Sequence, residues 1–139
     1  MKFPAFLIGA VISIPLCLCS CDLGELEDPG PQLDSSVDGK SIGYTLGEKF
    51  SLELDVCADA GYQWFILFSD STVVRLDSTK YRPKDGARGG VGGMTVETFY
   101  FHATKGGRCT VSMNERQGWM PNVPPINTVQ FDVIVRWGS

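Results

Sequence analysis

Phe50-Ser51-Leu52-Glu53-Leu54-Asp55-Val56-Cys57-Ala58-Asp59-Ala60-Gly61-Tyr62-Gln63-Trp64-Phe65-Ile66-Leu67-Phe68 is the stretch that decides the fold. Over residues 50–56 apolar and polar side chains alternate strictly, the period-2 signature of a strand with one buried face. Residues 58–63 break that alternation with small residues and Gly61, and read as a loop at the end of a sandwich. The run that follows, residues 64–68, is apolar at every position and predicts a central strand covered on both faces.

Working outward, the same grammar recurs on both sides. Residues 42–45 form a short expected strand, followed by a turn at residues 46–49. After the quoted stretch come a turn at 69–71, a strand at 72–76, a second turn at 77–79, and an extended segment at 81–83 ending in Pro83. Residues 86–93 carry Gly at five of eight positions and form no regular element. Residues 95–103 resume as a strand with Phe99 and Phe101 inward and Tyr100 and His102 outward. A turn at Lys105-Gly106-Gly107 leads to a strand over 109–113 and a long loop over 114–126. A strand at 128–137 closes the chain with Val129, Phe131, Val133 and Val135 on one face. About seven short strands at roughly ten-residue spacing predict an all-β, immunoglobulin-like antiparallel β-sandwich. No internal repeat occurs.

The N-terminus reads differently. Lys2 precedes an apolar run over residues 3–18, too short for a comfortable membrane span. The run ends in Leu18-Cys19-Ser20-Cys21, which resembles the lipobox of bacterial lipoproteins. That resemblance implies a signal peptide over 1–20, lipidation at Cys21, and export to the cell envelope on a membrane anchor. The alternative is an ordinary secretory signal cleaved nearby. Residues 21–40 are polar and acidic, with Pro29, Gly30 and Pro31, and suit a flexible tether ahead of a domain over 41–139. Glu25, Glu27 and Asp28 suit either a sorting signal or plain solvated linker. Of five cysteines, only Cys57 and Cys109 then remain in the domain. Strand parity puts Cys109 inward and Cys57 outward or in the loop, so no disulfide between them is expected.

Composition and spacing exclude most chemistry. A net charge of −4 in 139 residues argues against nucleic acid as a partner. The single histidine, His102, sits on an outward strand position away from any orienting pair. Metal-ligand spacings are absent, and the Gly-rich loop precedes a strand instead of a phosphate-cradling helix. Lys80, Arg82, Lys84 and Arg88 form only a modest basic patch. No enzyme, metal or small-molecule cofactor is expected.

Three loops carry the positive signal. Gly61, Tyr62 and Trp64 match the pattern N-P-T-T-G-[YF]-x-W of chagasin-like inhibitors of papain-type cysteine proteases, with Cys57-Ala58-Asp59-Ala60 in place of Asn-Pro-Thr-Thr. Gly89-Gly90-Val91-Gly92-Gly93 precedes Thr98-Phe99-Tyr100-Phe101-His102-Ala103, similar to the family's Gly-rich loop before T-F-x-F-x-A. Gln117-Gly118-Trp119 stands where the family has R-P-W. The resemblance covers about residues 41–137. It implies a sandwich whose three loops wedge into the cleft of a papain-like protease, the expected protein partner. The edge would comprise Asp59, Ala60, Gly61 and Tyr62; Arg88, Gly89, Gly90, Val91, Gly92 and Gly93; and Gln117, Gly118, Trp119 and Met120. A second reading stays open: a surface lipoprotein that uses the same sandwich to bind another protein or a glycan.

Overall fold

The computed structural model describes residues 28–84 and 94–138. Among these residues eight strands form two four-stranded sheets packed face to face. They are β1 (Gln32–Leu33), β2 (Ser41–Thr45), β3 (Lys49–Val56), β4 (Tyr62–Phe68), β5 (Val74–Pro83), β6 (Thr95–Ala103), β7 (Gly107–Gln117) and β8 (Asn127–Arg136). One sheet has the order β1-β3-β6-β5 and the other β2-β8-β7-β4. All pairings are antiparallel except β1 with β3 and β2 with β8. The all-β sandwich expected from strand alternation is therefore the observed architecture, with the two-residue β1 as the strand beyond seven.

The alternating positions of β3 explain the core. Phe50, Leu52, Leu54 and Val56 are all buried, while Asp55 is exposed. Phe101 of β6 links the sheets: it stacks on Phe50 at 5.0 Å and meets Phe68 of β4 and Phe131 of β8 edge-on at 6.2 and 6.5 Å. Such offset and edge contacts suit the aromatic quadrupole and add to the area that the rings bury. Cys109 lies in this core, and both Cys57 and Cys109 are free thiols. The register explains why: Cys109 opposes Val133 near the start of β7, whereas Cys57 follows β3 at the other end of the sandwich.

Four local expectations change. The run 64–68 belongs to β4, an edge strand. Its outward residues are covered sparsely, with Leu67 65% exposed and Phe65 shielded by the Arg116 guanidinium 3.8 Å above its ring. The turn expected at 77–79 is a β-bulge: Leu76 opposes Phe101 and Ser78 opposes Tyr100, so Asp77 is the extra residue and β5 continues to Pro83. The long loop begins later than expected, because β7 runs on to Gln117. Finally, the part of the expected tether from residue 28 onward is docked on the sandwich. β1 pairs with β3, and a 3-10 turn over Ser35–Val37 buries Val37 between β3 and β8. Asp34 caps that turn by accepting from the Ser36 N–H, and Asp38 accepts from the Gln130 N–H. Together with these hydrogen bonds, two aliphatic side chains four residues apart, Leu33 and Val37, hold a segment whose composition otherwise reads as linker.

Candidate functional site

The first loop is built from a tight turn. After Val56 the chain makes one 3-10 turn, Ala58–Ala60, and leaves it through Gly61 in the left-handed conformation, φ 81° and ψ 13°. The Cys57 carbonyl accepts from the N–H groups of both Ala60 and Tyr62, and the Ala58 carbonyl accepts from the Gly61 N–H. Only glycine takes that left-handed position without steric cost. Tyr62 then enters β4 opposite Gln117 of β7.

That pairing brings the third loop against the first. Gln117 Nε2 donates to the Ala60 carbonyl at 2.9 Å. The indole of Trp119 lies on Gly61, so close that a Cβ placed there would stand 2.0 Å from Trp119 Cη2. The ring is still 64% exposed, and Met120, Val123 and Ile126 beyond it are exposed as well. Asp59, Ala60, Gly61, Tyr62, Gln117, Gly118, Trp119 and Met120 thus lie at one end of the sandwich.

Beneath both loops sits Glu115, 2% exposed, on the inner face of β7 between Trp64 and Asn127. Its Oε1 accepts from the Cys57 N–H at 3.4 Å and its Oε2 from Asn127 Nδ2 at 2.7 Å. Its carbonyl accepts from the Ile126 N–H at 2.9 Å. Trp64 is half-buried against the core and donates from Nε1 to the Asp55 carbonyl at 3.0 Å. Trp64 is therefore part of the scaffold beneath the loops. Sequence reasoning passed over Glu115 because it assigned 114–126 to a loop. The strand parity Cys109, Val111, Met113 extended by one step would have turned Glu115 inward and marked it as a buried acid.

The Gly-rich loop lies outside the described residues, and with it Arg88, Gly89, Gly90, Val91, Gly92 and Gly93. Its stem is described. Thr95 opposes both Val56 of β3 and Pro83 of β5, and the Lys84 N–H donates to the Met94 carbonyl at 3.0 Å. The stem therefore emerges beside the first loop, at the same end. Within it Glu97 is 4% exposed and opposes Leu54 and Tyr81. Burial pushes the Glu97 carboxyl above the ordinary glutamate range, more than the hydrogen bond from the Tyr81 phenol lowers it. Its folded-state pKa exceeds its unfolded one, so its stabilising contribution is full below about pH 4.3 and is lost as pH rises through the folded pKa. Relative to the parent, Glu97→Gln is accordingly expected to gain stability as pH is raised from about 4 to 7. Urea midpoints measured across that series check it; a constant difference between the two proteins would contradict the assignment.

Three side chains of the basic patch are engaged within their own sheet. Arg82 and Lys84 reach across β6 to Glu53 and Asp55 at 3.2 and 2.6 Å, and Lys80 lies over the Tyr100 ring. A groove of about 560 Å³ beside the loop end is lined in part by these pairs together with Asp34, Asp38 and Trp64. His102 contacts Arg75 and Asp77 on the outer face of the same sheet, away from both thiols. Among the described residues no cluster of three metal-ligating side chains occurs.

Residues 44–133 match the model of the family described as chagasin family peptidase inhibitor I42. No curated protein sequence matches the chain significantly. Among solved structures, the chain is similar to the cysteine protease inhibitor EhICP2 from Entamoeba histolytica, with a TM-score of 0.68 at 17% identity over 78% of this chain and 100% of that one. It is also similar to amebosin, with a TM-score of 0.65 at 20% identity, and to PbICP-C, solved in complex with falcipain-2, with a TM-score of 0.53 at 14% identity. Both likenesses again cover 78% of this chain and 100% of the other. At these identities the likeness speaks for the fold, and the family match runs through the strands and loop stems described above, from β2 to β8. The chain belongs to the chagasin family of peptidase inhibitors.

Proposed function

We propose that this protein is a reversible inhibitor of papain-like cysteine proteases that blocks the active-site cleft with the loop end of the sandwich. The observation that carries this reading is the junction of the first and third loops: Gln117 bound to the Ala60 carbonyl and Trp119 seated on Gly61. It gives a narrow edge with little side chain at its tip and one large aromatic anchor, a shape suited to a cleft. The Gly-rich loop, Arg88 to Gly93, would complete the edge, since its stem leaves the same end. Contacts in a protease cleft would come from the backbone of Cys57-Ala58-Asp59-Ala60, where the family pattern offers hydroxyl and amide side chains. Titration against several papain-type enzymes tests the proposal. Stoichiometric, reversible loss of activity is expected; full activity of all of them at micromolar inhibitor would refute it, and recovery of only non-protease partners from envelope extracts would favour a binding module of another kind.

We further propose that Cys21 is lipidated and tethers the domain to the bacterial cell envelope, on the strength of Leu18-Cys19-Ser20-Cys21 after an apolar run. Among the described residues no helix is long and apolar enough to cross a membrane. With the chain docked on the sandwich from residue 28, such a tether would span no more than residues 22–27, setting the loop end at a restricted distance from the lipid surface. Cys21→Ser is expected to abolish incorporation of labelled fatty acid and to move the protein out of the membrane fraction. Unchanged labelling would exclude Cys21 as the anchor.

A further inference from the structure

We propose that Glu115 is a positioning residue: its carboxylate sets the first and third loops relative to one another and so fixes the inhibitory edge. The inference rests on the inhibitor reading for its functional consequence, although its geometry stands alone. Two donors converge on the carboxylate, one at each loop base. The Cys57 N–H lies one residue before the 3-10 turn, and the Asn127 side chain lies where the third loop re-enters β8. Ile126, the last residue of that loop, is held by the Glu115 carbonyl. Two residues further along the same face of β7, Gln117 reaches the other side of the first loop at Ala60. Glu115 and Gln117 are thus successive rungs joining the loops, one at their base and one near the tip.

The chemistry favours positioning over plain stabilisation. A carboxylate that is 2% exposed loses most of its hydration, and its longer hydrogen bond, 3.4 Å, recovers little of that loss. Apolar side chains at both Glu115 and Asn127 would commonly pack there at little cost in stability. An apolar side chain could not hold two donors from different loops at a fixed separation. Both partners donate, so the site needs an acceptor on each side, which a carboxylate supplies and an amide does not.

That requirement supplies the experiment. In E115Q either one donor loses its acceptor or Asn127 must turn its amide over to present Oδ1; in N127D two carboxyl groups face each other across the gap. The double variant E115Q/N127D restores a matched set, with the new amide donating to the new carboxylate and its oxygen still accepting from Cys57. Each single variant is expected to weaken inhibition about 10-fold and the double to return to within about 3-fold of the parent. Nitrogen–proton NMR reads the loops without any protease: the Gly61 amide and the Trp119 indole N–H should shift in both single variants and return in the double. Shifts confined to the neighbourhood of β7, or a double variant that regains thermal stability without regaining loop positions, would overturn the proposal. The second criterion holds even where a single variant fails to fold. If the parent inhibits no papain-type enzyme, the inhibitor reading falls, and the NMR comparison alone decides the role of Glu115.

Discussion

Trp119→Ala is expected to weaken inhibition of a papain-like protease on the order of 100-fold while leaving the fold intact, which titration of activity and thermal melting would together measure. The magnitude follows from what the indole offers. It is the largest exposed aromatic at the loop end, 64% exposed, and a tryptophan that fills a pocket on a partner typically contributes 2–4 kcal/mol at the centre of an interface. Trp119 is also oriented before binding, because its ring lies on the Gly61 backbone. A side chain already held in one rotamer avoids an ordering cost of about 0.5–1.5 kcal/mol on association. Stability should change little, since the ring removes little surface from water in the free protein. Inhibition equal to the parent's would mean that the loop end is not the contact surface. A collapse of melting temperature would mean that Trp119 belongs to the scaffold.

The scaffold was legible in the sequence wherever one face of a strand is buried and the other wet. Residues 50–56 and 95–103 wrote their faces in period two, and the structure buries Phe50, Leu52, Leu54, Val56, Phe99 and Phe101 accordingly. The reading failed where side chains satisfy two demands at once. Phe65 is apolar yet faces outward under a guanidinium, so β4 mimicked a central strand. Asp77 is a turn former absorbed as a bulge, because the strand pairing on either side outweighs one misplaced residue. Glu115 was hidden by its charge, since a buried acid interrupts the apolar count that reveals a strand. Gln117 and Trp119 were picked out as a motif. Their grip on Ala60 and Gly61 was not legible, for it depends on β7 running four residues further than the apolar pattern shows.

Gly61→Ala tests whether the two loops act as one unit. The substitution imposes two separate costs. The backbone at φ 81° is left-handed, which costs an alanine about 1–2 kcal/mol of folding stability. The new methyl would also stand 2.0 Å from Cη2 and 2.5 Å from Cζ3 of Trp119, far inside any tolerable contact, so the indole must leave its seat. The first cost falls on stability and only the second reaches the partner. Inhibition by Gly61→Ala should therefore fall nearly as far as with Trp119→Ala, on the order of 100-fold, although Trp119 itself is still present. With Trp119 already replaced by alanine there is no ring to displace. Adding Gly61→Ala to that variant should then cost inhibition no more than about 3-fold further, a strong departure from additivity. If instead the two losses multiply, Gly61 acts on the partner directly, through a backbone approach that a methyl obstructs, and the seat under Trp119 is incidental. The same four proteins separate these cases from simple unfolding, because the left-handed penalty appears equally in the melting of both glycine variants whether or not the tryptophan is there.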